Sequence, residues 1–151
     1  MNSYEEKARE NFLKGYNCAQ AVLVAFCDRT GLDEETSARL AAGFGGGFAR
    51  NREVCGAVSG AVQVLGTAFG NTDPGDQEGK KKAYEVVNVF LDRFREENGS
   101  IICRELLAGV QTTQGKIPEQ RSQEYYKKRP CKEIVAIAAN LVEETLRKYG
   151  K

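Results

Sequence analysis

Between Asp76 and Asn98 the apolar residues Ala83, Val86, Val87, Phe90, Leu91 and Phe94 recur three and four positions apart. That spacing draws one stripe along an α-helix and fits no strand, whose period is two. The pattern returns along the chain. Ala19, Val22, Leu23 and Phe26 form a face between Cys18 and Arg29, with Asn17 as N-cap. Val58, Val62, Leu65 and Phe69 do so between Glu53 and Phe69, and Ile134, Val135, Ala138, Leu141, Val142 and Leu146 between Pro130 and Tyr149. Shorter helices are predicted from Tyr4 to Lys14, ended by Gly15, from Asp33-Glu34-Glu35 onward, and from Ile101 to Ala108 behind a Ser100 cap. From Gly109 to Arg129 the pattern dissolves into loop, with a helical turn or two near Glu119 to Lys127. No segment reads as a strand. The expected fold is all-α, a compact bundle of about six to eight helices.

A chain of 151 residues suits one domain over 1–151. At that size a core forms without disulfides or metal. The 22 basic and 21 acidic residues leave a net charge of +1. That balance gives no electrostatic case for nucleic acid or an anionic membrane. No apolar run approaches the ~20 residues of a membrane span. The opening residues Met1 to Lys7 lack the basic-then-apolar order of a secretory signal. A cytoplasmic, reducing location is expected, where clustered cysteines more often bind metal or catalyse than form structural disulfides.

The chain has no histidine and five cysteines. Serine–histidine and cysteine–histidine pairs are therefore excluded, as is any zinc site that needs imidazole. No cysteine pair has C-x-x-C spacing. Instead Cys18, Cys55, Cys103 and Cys131 each fall at or near a predicted helix N-terminus. There the unpaired N–H groups and the positive end of the helix dipole favour thiolate, the form that binds metal and attacks disulfides. Cys27 stands nine positions after Cys18, on the opposite face of the same predicted helix, and reads as a small buried hydrophobe. Plain core burial is the competing reading for every cysteine.

Asn17-Cys18-Ala19-Gln20-Ala21-Val22, Gly43-Phe44-Gly45-Gly46-Gly47, Cys55-Gly56-Ala57-Val58-Ser59-Gly60, Cys103-Arg104-Glu105-Leu106-Leu107 and Pro130-Cys131 together resemble the C_GCAxxG_C_C family. These are small redox-active proteins named for four cysteines and a short glycine-flanked motif. The resemblance runs from about Cys18 to Val142 and maps the four family positions to Cys18, Cys55, Cys103 and Cys131. It implies redox activity and a likeness to the cluster-bearing domain of split-Soret-type cytochromes. The haem side of that likeness is absent, since there is neither a C-x-x-C-H segment nor any histidine.

Three function classes follow. The first is electron transfer through an iron–sulfur cluster held by Cys18, Cys55, Cys103 and Cys131, with 2Fe-2S placed ahead of 4Fe-4S and zinc as the closed structural version of the site. The second is thiol–disulfide chemistry with Cys55 as nucleophile and another of the four as resolving thiol. The third is a helical interaction module with inert cysteines. A protein redox partner is expected for the first, and a homodimer that shares the site stays open. The Gly43 to Gly47 run lacks the Gly-Lys-Ser/Thr ending and the preceding strand of a phosphate loop, so it reads as a loop shaping access to Cys55. Gly56 and Gly60, four apart, read as a point of close helix packing. Tyr125 to Arg129 reads as a solvated loop, and Lys80 to Lys82 as the wet face of the long helix.

Overall fold

The apolar stripes meet around one short segment, Cys18–Ala25 (α2). Its residues Ala19, Ala21, Val22, Leu23, Val24 and Ala25 are all buried. A helix that is apolar on every side belongs at the centre of a bundle. Tyr4–Lys14 (α1), Glu34–Ala41 (α4), Gly56–Phe69 (α6) and Cys131–Lys148 (α10) surround it. The long Gln77–Asn98 (α7) closes the outer side against α6 and α10, burying Val86, Phe90 and Phe94. The computed structural model describes residues 3–110 and 115–151.

Among the described residues seven helices exceed one turn. Besides those named, Gln123–Lys128 (α9) is the seventh, and Cys27–Thr30 (α3), Gly45–Phe48 (α5) and Cys103–Leu106 (α8) are single turns. The all-α reading holds, and the one β-like pairing among the described residues is an isolated antiparallel bridge between Val54 and Ile102. No described helix is long and apolar enough to cross a membrane. Part of the expected loop from Gly109 to Arg129, residues 111–114, lies outside the described residues.

Several helix limits differ from expectation for local reasons. The helix from Cys18 does not run on to Arg29: Phe26, at φ −107° and ψ 22°, leaves the helical register, and a new turn starts at Cys27. Phe26 is fully buried and stacks on Tyr4 with ring centroids 4.2 Å apart. The helix expected from Glu53 starts only at Gly56, because Glu53 to Cys55 is extended and bonded to the segment before α8. Gly56 and Gly60 mark close packing as expected: a Cβ at Gly60 would lie 2.5 Å from the Ala19 carbonyl oxygen. Those two glycines let α6 lie against the backbone of α2.

Candidate functional site

Each motif cysteine is placed by a helix start. Asn17 caps α2 through a reciprocal box: its Oδ1 accepts from the Gln20 N–H at 2.9 Å, and its own N–H donates to Gln20 Oε1 at 3.0 Å. The next residue is Cys18. Asn17 also donates through Nδ2 to the Ala42 carbonyl at 3.0 Å, tying the helix start to the chain after α4. Asn17→Ala is expected to cost about 1–2 kcal/mol, read as a lower urea midpoint at unchanged slope.

Cys55 is the N-cap of α6 and Cys103 the first residue of α8. Backbone hydrogen bonds lock them side by side: Cys55 N–H to Ile101 carbonyl at 2.8 Å, Cys103 N–H to Glu53 carbonyl at 2.6 Å, and Arg104 N–H to Arg52 carbonyl at 3.2 Å. Cys131 follows Pro130 as the first residue of α10. The four cysteines, from four separate helix starts, line one chamber of about 50 Å³. Three of them are buried and Cys18 is half-buried, and all are free thiols. Among the described residues no three or more cysteine, aspartate or glutamate side chains are drawn together tightly enough to hold a single metal ion.

Cys27 does not join them. It opens the separate turn α3, is only half-buried, and lies 3.5 Å from the Ser37 hydroxyl. The expectation of a separate environment is met, and that of full burial is not.

The glycine loop does more than shape access. Gly46 and Gly47 have φ of 65° and 71°, and Phe48, Ala49 and Arg50 continue at 65°, 51° and 67°. Five successive left-handed residues make a turn of the disfavoured hand, which costs each non-glycine residue about 1–2 kcal/mol. Such strain gathers where a structure holds functional groups in place. A Cβ at Gly47 would lie 2.8 Å from Cys103 Cβ, so the turn packs beneath Cys103. Exposed Ala49 contributes strain without packing. Ala49→Gly should therefore raise stability by about 0.5–1 kcal/mol, measured as a higher urea midpoint.

Charge enters the chamber from groups the sequence reading missed. Arg52, Arg121 and Arg129 line it beside Tyr125. Arg52 Nη1 donates to Cys103 Sγ at 3.7 Å. Arg121 lies over the rings of Phe12 and Tyr125, 4.3 and 4.7 Å from their centroids, and donates to the carbonyls of Phe12 and Tyr16. Arg129 is 7% exposed, pairs with Glu119 at 2.8 Å and lies 4.7 Å from the Tyr125 ring centroid. The segment containing Tyr125 and Arg129, expected to be solvated, thus supplies a wall of the site. Its adjoining Tyr-Tyr pair, next to basic residues, was the signal in the sequence.

These surroundings separate the thiols. Burial pushes Cys55 up to about 12, against the helix-start N–H groups of Ala57 and Val58. Burial also raises Cys103, opposed by its hydrogen bond from Arg52. Cys131 goes the other way, to about 7, because Cys18 donates a hydrogen bond to it and Arg129 lies beside it. Cys18 is raised for the matching reason, as the proton donor of that pair, and by burial. The expected depressed thiol at Cys55 is therefore corrected. Desolvation outweighs the helix dipole there, and the acidic thiol is Cys131.

A family model described as "Putative redox-active protein (C_GCAxxG_C_C)" matches residues 16–145. Searches of curated proteins and of solved structures returned no match.

Proposed function

The chain belongs to the C_GCAxxG_C_C family of redox-active cysteine proteins, and we propose that it transfers electrons through an iron–sulfur centre held by Cys18, Cys55, Cys103 and Cys131. The observation that carries this reading is the convergence of four thiols, from four helix starts, on one small chamber. A chamber of about 50 Å³ admits roughly four water-sized bodies at ~10–15 Å³ each. That suits a compact inorganic core such as 2Fe-2S and excludes a nucleotide or other large cofactor from this chamber.

The donor set supports the same choice. Four thiolates without imidazole match the ligand set of an iron–sulfur core, whereas one zinc ion would gather four sulfurs within ~2.3 Å of a single point. A polynuclear core spreads its ligands wider. When bound, such a core supplies one-electron oxidation and reduction. The protein's part is fourfold. It fixes the thiols by caps and backbone bonds, and it excludes bulk water through Leu106, Leu107 and Ile134. It donates hydrogen bonds to sulfur from Arg52 and from the first turn of α6, and it offsets anionic thiolates with Arg52, Arg121 and Arg129. All four ligands come from one chain, so no second copy is needed to complete the set. Electron paramagnetic resonance tests the reading on protein reconstituted anaerobically with iron and sulfide and then reduced. A signal from a one-electron-reduced cluster is expected, and iron-free, silent protein would sink the reading.

One observation favours a second reading: Cys18 and Cys131 line the same chamber as free thiols, close enough that one raises and the other lowers its partner's acidity. As a dithiol, the Cys131 thiolate would attack one sulfur of a substrate disulfide and expel a thiolate. Cys18 would then attack Cys131 sulfur, releasing the second substrate thiol and leaving a Cys18–Cys131 disulfide. Two electrons pass to the substrate. In metal-free protein the lowered thiol titrates near pH 7, so thiolate is present above that pH and lost below it. A thiolate ultraviolet absorbance step near pH 7, absent in Cys131→Ser, is the expected result. A first step only in the ordinary thiol range would contradict it.

A further inference from the structure

Beyond the cysteine chamber, on the far side of Arg52, Arg121 and Arg129, lies a second chamber of about 220 Å³. The two share those three arginines and Tyr125 as a common wall. We infer that this second chamber binds a small dianionic oxyanion, of phosphate or phosphomonoester size, directly beside the redox centre. The site is distinct from the cysteine ligands, and the inference stands whether the cysteines carry iron or react as thiols.

The first ground is charge. Among the described lining residues Arg50, Arg52, Lys116, Arg121 and Arg129 are cationic, and Glu119 is the one acid. Two of the guanidiniums, Arg50 and Arg129, are only 8% and 7% exposed. Charge held out of water at that density is costly unless opposite charge meets it, and one carboxylate, Glu119, which pairs with Arg129 at 2.8 Å, cannot balance five cations. Burial and the nearness of Arg52 and Arg129 lower the Arg50 guanidinium below its ordinary value, the direction that mutual repulsion dictates.

The second ground is an orphaned donor. Arg129 Nε is buried and has no hydrogen-bond partner among the described residues. Buried donors without partners are few in native proteins, and each points to a missing acceptor. Arginine presents its donors in a planar fork that matches oxyanions well.

The third ground is the left-handed turn. It carries Arg50 at φ 67° and Arg52 at φ 60°, conformations that cost these side chains free energy. The strain delivers both guanidiniums to one wall. The chamber also has size to match: at about 220 Å³ it is roomy for phosphate.

The test is calorimetric titration with inorganic phosphate, with sulfate in parallel, at ionic strength held constant with chloride. Saturable binding of one equivalent is expected in the intact chain and in Cys55→Ser, which separates this inference from the iron–sulfur reading. Arg50→Asn keeps a residue that tolerates positive φ and should weaken binding at least tenfold. Lys116→Ala, at an exposed position that carries no core packing, should weaken it several-fold and guards against misfolding of the first variant. Loss of all binding once chloride replaces phosphate at equal ionic strength is the control expected for a specific site. No saturable binding of phosphate or sulfate, or equal binding in all variants, would overturn the inference.

Discussion

Gly60→Ala is expected to lower stability by about 2–3 kcal/mol, at the upper end of overpacking costs, and to disorder the cysteine chamber with it. The added Cβ would lie 2.5 Å from the Ala19 carbonyl oxygen and 3.2 Å from Ala19 Cα. These are backbone atoms of the central helix α2, so no side chain can swing aside. Either α6 moves off α2 or α2 bends. Cys18 precedes Ala19, and Cys55 caps α6 five residues before Gly60, so any such shift separates the two thiols. The urea midpoint reads the stability loss. Gly66→Ala, on the same helix, is the internal comparison. It is exposed, and a Cβ there meets nothing within 4 Å. Its helix propensity gain of about 0.5–1 kcal/mol should appear as a higher midpoint. Equal effects of the two substitutions would contradict the close approach of α2 and α6.

The second large effect concerns the ligand set. Serine at Cys18, Cys55, Cys103 or Cys131 should each reduce iron bound after anaerobic reconstitution by tenfold or more. A hard hydroxyl replaces a soft thiolate, and the remaining three sulfurs leave one coordination position open. Cys27→Ser should keep full iron loading, since Cys27 lies outside the chamber beside Ser37. Circular dichroism before reconstitution separates ligand loss from misfolding. Equal iron in Cys27→Ser and Cys55→Ser would remove the chamber from the account.

Much of the fold was legible because caps announce helix ends. Gly15, Asn17, Asp33 and Gly99 stand where the sequence places them, each through a local hydrogen bond or a positive φ. The cysteines were legible for the same reason, each standing at a helix start that a cap, a glycine or Pro130 marks. What stayed hidden depends on long-range packing. Phe26 continues the apolar period of α2, so no local signal ends the helix there. Its burial against Tyr4 accompanies the break. Cys55 was misread as the acidic thiol because the sequence gives its place on a helix but not its desolvation. Arg52 and Arg129 stand close before Cys55 and Cys131 in the chain, but what aims them into the chamber is long-range. A left-handed turn brings the first to Cys103, and a buried pair with Glu119 holds the second.

The most direct test of the iron–sulfur centre is the iron and acid-labile sulfide content of protein purified and reconstituted without oxygen, with its visible spectrum. Iron and sulfide in equal amounts, with charge-transfer bands that bleach on reduction, are the expected result. Protein that stays folded yet free of iron and sulfide after reconstitution would contradict the account and leave the Cys18–Cys131 dithiol as the redox group.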